Sequence, residues 1–136
     1  ASSVRMPFIL KGVMTPAGAL KALEAGAQAI VVSNHGGRVL DETPSTIEAL
    51  PPIVEALHGR MKVLIDGGFR TGLDVFKALA LGADGVLIAR PFTWSVYGGG
   101  AEGAKLYLEK VKAELAEAML MTGASSLEEI DGSRLA

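Results

Sequence analysis

Three features of this 136-residue chain predict an α/β fold with a parallel sheet. First, short runs that are apolar throughout, such as Ala29-Ile30-Val31-Val32 and Val86-Leu87-Ile88, alternate with helical patterns. Strands without polar alternation belong to sheets covered by helices. Second, Lys21-Ala22-Leu23-Glu24-Ala25-Gly26-Ala27 repeats 56 residues later as Lys77-Ala78-Leu79-Ala80-Leu81-Gly82-Ala83, identical at five of seven positions. Gly12 and Thr15 match Gly68 and Thr71 at the same offset, and a period of that length holds two βα units of about 28 residues each. Third, Lys11, His35, Arg38, Asp66, Arg70 and Arg90 all fall at or just after a predicted strand end. That rim is where parallel α/β folds place their sites.

The elements follow in order. A strand over residues 8–11 leads to a helix with Thr15 as N-cap, Pro16 at the first helical position and Gly26 as its stop. A strand over 29–33 leads through a glycine pair to a helix opening near Ser45 or Thr46, which Pro51 and Pro52 are expected to interrupt. His58 has the setting of a helix end. A strand over 62–66 precedes a helix over 73–81, capped by Thr71 and ended by Gly82. A strand over 85–89 precedes Arg90-Pro91, a long helix over about 102–121 with Leu106, Val111, Leu115, Ala118 and Met119 on a helical period, and a short helix over 126–130. Four βα units are half of a (β/α)8 barrel of the TIM type, and the whole of 1–136 reads as one such half-barrel domain. Two strand edges are left open, to be covered by association with a second copy, by another half of a barrel, or by bending into a smaller sandwich; association is expected.

Composition narrows the function. Apolar residues make up 49% and charged residues 21%, as in globular domains. A net charge of −2 with scattered basic residues gives no footprint for nucleic acid, and no apolar run approaches the roughly 18 residues of a membrane span. No cysteine is present, hence no disulfide framework or thiolate metal site, and the cytoplasm is the expected compartment. Ser133-Arg134-Leu135 has the look of a peroxisomal address, but Ala136 follows it where such signals are terminal.

The densest chemistry is Ser33-Asn34-His35-Gly36-Gly37-Arg38. An imidazole titrates near ~6.5 and serves as a base at neutral pH, while a guanidinium fork fits a carboxylate with two parallel bonds. Together they would grip a small acid and take a proton from its neighbouring carbon or hydroxyl. Asp66-Gly67-Gly68-Phe69-Arg70-Thr71-Gly72 places glycines between a strand and a helix, where amides and a helix N-terminus can meet a phosphate. The alternative there is a plain tight turn with Arg70 paired to Asp66. Ala89-Arg90-Pro91 would bring a second cation from the next loop, or only a surface arginine before a proline. Lys11 ends the first strand, and Glu114, Glu117, Glu128 and Glu129 read as solvated helix faces. Trp94 and Tyr97 read as packing for the start of the last helix.

These motifs, with Leu10-Lys11-Gly12, Leu40-Asp41 and the run from Asp74 to Ala83, resemble the FMN-dependent α-hydroxy-acid oxidases and dehydrogenases, the family of glycolate oxidase, lactate oxidase and the flavin-type L-lactate dehydrogenases. The resemblance spans nearly the whole chain, in order and spacing, and begins at the fifth strand of the family's barrel. It implies FMN as cofactor and oxidation of a small L-2-hydroxy acid to the 2-oxo acid. His35 is then the catalytic base, Arg38 the carboxylate anchor, and Asp41 the acid that orients and charges the histidine. Lys11 lies at the flavin N1 and O2 edge, stabilising the anionic reduced ring, and Ser33 contacts the flavin. Asp66, Gly67, Gly68, Phe69 and Arg70, with Ala89 and Arg90, hold the ribityl chain and phosphate. The family usually has Gly-Arg where this chain has Ala89-Arg90, and the family's N-terminal half supplies tyrosines that these residues do not include. The residues name neither the hydroxy acid nor the electron acceptor.

Overall fold

The computed structural model describes residues 6–135; Ala1 and Ala136 lie outside them. Four strands, β1 (Ile9–Val13), β2 (Ala29–Val32), β3 (Lys62–Asp66) and β4 (Gly85–Leu87), form one sheet in sequence order with every neighbouring pair parallel. Helices α1 (Pro16–Glu24), α2 (Thr46–Leu57), α3 (Gly72–Ala80) and α4 (Arg90–Thr122) follow the strands in turn. The repeat is visible as two nine-residue helices, α1 and α3, capped by Thr15 and Thr71 and followed by left-handed Gly26 and Gly82.

The main core lies between the sheet and α1 to α3. Ile30 and Val32 from β2 and Val63 and Ile65 from β3 meet Ala19, Ala22, Leu50, Ile53 and Leu57. A second cluster, centred on Phe76, Ala80, Ala124 and Ile130, seats α3 against α4 and the C-terminal turns. Among the described residues β1 and β4 each have one unpaired edge, and Ile9, Leu10 and Leu87 on them are exposed. A partial (β/α)8 barrel is the architecture.

Several boundaries differ from those the sequence predicts. β1 runs on to Val13 because Gly12, at φ 96°, lets the chain bulge between Lys11 and Val13 and keep pairing. β2 and β4 stop at Val32 and Leu87, short of the predicted ends. Pro51 and Pro52 do not interrupt α2. An interior proline costs about 3 kcal/mol, but both prolines face solvent, where water can bind the carbonyls they leave unpaired. Leu50, Ile53 and Leu57 on the opposite face are fully buried, each stabilising the helix by about 1.5–3 kcal/mol. The last helix begins at Arg90, twelve residues earlier than expected, and turns sharply at Gly99 and Gly100 (φ 58°, ψ −141°). A Cβ on Gly103 would stand 2.1 Å from the Ser95 carbonyl, so the two segments of α4 touch backbone to backbone across that elbow.

Candidate functional site

β2 carries buried Ser33 to the rim of the sheet, and the chain then enters a single 3-10 turn over His35–Gly37. Asn34 fastens the turn: its Oδ1 accepts from the Gly37 N–H at 3.2 Å and its Nδ2 donates to the Pro44 carbonyl at 3.3 Å. His35, Gly36 and Gly37 are all left-handed, with φ of 59°, 69° and 69°. Glycine adopts this freely, whereas His35 does so at a cost of roughly 1–2 kcal/mol. Its N–H donates to Ser33 Oγ at 3.2 Å, which holds the strained residue in place. Strain of this kind collects at working positions.

A polar bridge links three strands beneath this turn. Lys11 Nζ donates to Ser33 Oγ at 2.7 Å and to Asp66 Oδ2 at 2.5 Å. Asp66 thus pairs with Lys11 across the sheet and not with Arg70. Its other oxygen, Oδ1, is buried and accepts no hydrogen bond. A buried carboxylate oxygen left this way is an acceptor awaiting a donor, and a hydroxyl-bearing ligand supplies one. Buried Thr46, at the start of α2, donates to the Asp66 carbonyl at 2.6 Å and fixes the end of β3.

The loop after β3 departs from the sequence reading in one respect. The N-terminus of α3 is already satisfied by the protein's own groups. Asp74 Oδ2 accepts from the N–H groups of Arg70 and Thr71, both at 3.0 Å, and Thr71 Oγ1 accepts from the Asp74 N–H. Partial burial pushes the Asp74 carboxyl upward, but these hydrogen bonds and Lys77 outweigh it and hold it below its ordinary value. Glu114 reaches across from α4 and accepts from the Gly72 N–H at 2.8 Å, so it is not merely a solvated face. Its bonds to Lys110 and to Gly72 lower its pKa. The helix start without a side-chain cap is that of α4, led by Ala89, Arg90 and Pro91. In (β/α)8 barrels anions commonly bind between the loops after the last two strands and the N-terminus of a short extra helix. The segment of α4 before its elbow is a helix of that kind, directly after β4.

One cavity of about 350 Å³ gathers these pieces at the carboxyl ends of the strands. Roughly 300–1,000 Å³ is the range of small-molecule sites. Its wall includes Lys11, His35, Arg38, the run from Asp66 to Arg70, Ala89 and Arg90. His35 and Arg38 therefore share a rim with Arg70 and Arg90. Four cations converge there, and the Gly67 and Gly68 backbone, at φ 95° and 88°, passes close by without side chains. The Arg90 guanidinium lies against Gly36, where an added Cβ would stand 3.0 Å from Nη2.

Two of the predicted site residues stand elsewhere. Ser33 lines an adjoining hollow, which Lys11 and His35 also border. Asp41 is outside the cavity wall; its carboxylate accepts from the Glu42 N–H at 3.0 Å and makes no bond to His35. The fit of Trp94 and Tyr97 also differs: Trp94 borders the cavity and is 60% exposed, and Tyr97 is 89% exposed, so neither packs the helix start. Sequence reasoning missed Thr46, Tyr107 and Glu114 altogether as site neighbours. Each reaches its loop across 20 or more residues, and no local pattern announces such a contact.

A family model described as FMN-dependent dehydrogenase matches residues 1–136. The chain belongs to that family. It is 48% identical over 130 residues to an L-lactate oxidase of Nostoc, covering 96% of this chain and 36% of the relative. It is 46% identical over 129 residues to a peroxisomal (S)-2-hydroxyacid oxidase of Arabidopsis thaliana, covering 95% of this chain and 36% of that protein. A crystal structure of mandelate oxidase superposes with a TM-score of 0.91 at 44% identity, covering 93% of this chain and 39% of that one. The chain spans about a third of the length of the curated relatives it matches.

Proposed function

We propose that the chain is the C-terminal half-barrel of an FMN-dependent oxidoreductase that converts a small L-2-hydroxy acid, of the lactate or glycolate type, to its 2-oxo acid. The observation that carries this reading is the single cavity in which an imidazole, a carboxylate-binding guanidinium and two further arginines face one another.

The residues fit FMN. The unpartnered Asp66 Oδ1 offers an acceptor for a ribityl hydroxyl. Arg70, Arg90 and the uncapped start of α4 offer a phosphate site. Lys11, anchored by Ser33 and Asp66, would offer its ammonium to the reduced flavin ring. Bound FMN supplies the acceptor for the two electrons that leave the substrate. Arg38 holds the substrate carboxylate, and the imidazole of His35 accepts a proton from the α-carbon or its hydroxyl. Either route requires a base within hydrogen-bond reach and a fixed acid group, and this loop provides both. Asp41 is assigned no orienting role here, because its carboxylate turns to Glu42.

The open edges of β1 and β4 support association, either with a second copy or with the remainder of a barrel. Among the described residues no helix is long and apolar enough to cross a membrane. The cysteine-free composition supports the cytoplasm as compartment, and cell fractionation tests that against the peroxisome of the Arabidopsis relative.

Reconstitution tests the activity. Protein mixed with FMN and freed of excess should retain visible flavin absorbance, and anaerobic lactate or glycolate should bleach it. A protein that folds, stays colourless and takes up no FMN removes the proposal for this chain. Retained colour without bleaching leaves a flavin-binding half-barrel with no oxidase chemistry of its own.

A further inference from the structure

Tyr107 lies on α4 beyond the elbow and outside every motif of the sequence. Its hydroxyl donates to the Arg70 carbonyl at 2.9 Å. Its ring meets Phe92 edge-on, with centroids 4.9 Å apart and planes at 88°. Phe92 stands two residues past Arg90 in the opening turn of α4. One aromatic pair therefore holds the β3–α3 loop at one end and the start of α4 at the other. Arg70 and Arg90 come from those two pieces and line one cavity.

We propose that Tyr107, braced by Phe92, is a positioning residue that sets the spacing of Arg70 and Arg90 so that both guanidiniums close on a single phosphate monoester. The inference deepens the function proposed above and rests on it. Charge-assisted bonds to phosphate are directional, and a misplacement of an ångström loses much of their strength. Two cations from separate loops keep that geometry best when the loops are tied beyond the pairing of β3 with β4, and this aromatic pair adds such a tie at Arg70 itself. Burial raises the Tyr107 pKa, against the pull of Lys110, so the hydroxyl remains a donor into the alkaline range. The packing of α3 on α4 does not depend on it. Glu114 bonds the Gly72 N–H, and Gly72 sits against the backbone of Val111 and Leu115. Tyr107→Phe removes one oxygen and leaves those contacts whole.

The test compares FMN with riboflavin, which lacks the phosphate, by quenching of flavin fluorescence on wild type, Tyr107→Phe and Phe92→Leu, with thermal melts alongside. The expected result for Tyr107→Phe is roughly three- to ten-fold weaker FMN binding, the loss of one hydrogen bond's worth, with riboflavin affinity and melting temperature nearly unchanged. Phe92→Leu should move FMN affinity in the same direction. Unchanged FMN affinity in Tyr107→Phe, or equal loss for both flavins, overturns the brace while leaving the phosphate site standing. A wild type that holds FMN no tighter than riboflavin overturns the phosphate site and the brace together.

Discussion

The loop after β2 and the loop after β3 each contain two adjacent glycines, yet the protein holds them in opposite ways. The first spans residues 33–45, carries the His35 and Arg38 side chains, and leaves Val39 and Leu40 exposed at 77% and 68%. Its fastenings are largely its own, through Asn34 and Ser33. The second spans only residues 67–71 and is gripped from three other elements: Thr46 of α2, Asp74 of α3, and Tyr107 of α4, with Glu114 of α4 just behind it. The Arg70 side of the cavity is thus held by packing within this chain. The half that carries His35 is held mainly by its own turn and leaves Val39 and Leu40 exposed.

The largest test of that contrast is His35→Gln in FMN-loaded protein. Loss of a general base should lower turnover by about 10²–10⁴-fold, while FMN affinity, set by the other loop, stays put. Weakened FMN binding in this variant would make the two halves one unit. Next is Arg70→Ala, expected to weaken FMN about ten- to a hundred-fold, the worth of a charge-assisted contact of roughly 1.5–3 kcal/mol, measured as a dissociation constant. Gly72→Ala probes the packing behind the second loop. Its Cβ would come within 2.3 Å of the Leu115 nitrogen and the Val111 oxygen, both backbone atoms that cannot swing aside. Overpacking of that kind should cost about 1–3 kcal/mol in a urea melt, and a silent substitution would show α4 free to move.

The smallest effect concerns pH. The folded pKa values of Glu114 and Asp74 are lowered, so their contribution is fully present above the unfolded values and is lost as pH falls through the folded ones. Stability should therefore begin to drop below Glu's ordinary 4.5 and continue to fall through the Asp range. Glu114→Gln should make that acid limb shallower in melts taken across pH. An identical limb would assign the acid loss to other carboxylates.

What the sequence made legible was local. Thr15 and Thr71 were readable as caps because capping is settled within three residues, and both accept the expected bonds. The end of β3 at Asp66 was readable to the residue, whereas β1 runs past Lys11 to Val13 and β2 and β4 stop short of their predicted ends. Pro51 and Pro52 misled because a proline's local cost says nothing about the three fully buried residues on the other face. Gly98-Gly99-Gly100 hid the true start of α4, since glycines that permit an elbow look the same as glycines that end a helix. The closing of the α3 N-terminus by Glu114 depended on how two helices dock, and nothing near Glu114 encodes that.

The all-parallel ladder has one more effect. A strand can join either open border of the sheet running against the ladder or along it. Any strand recruited in the latter sense, from another molecule or from elsewhere in a longer polypeptide, arrives with its carboxyl end at the level of His35 and Arg90. A strand joined that way would seal a border and end on the rim that carries the cavity.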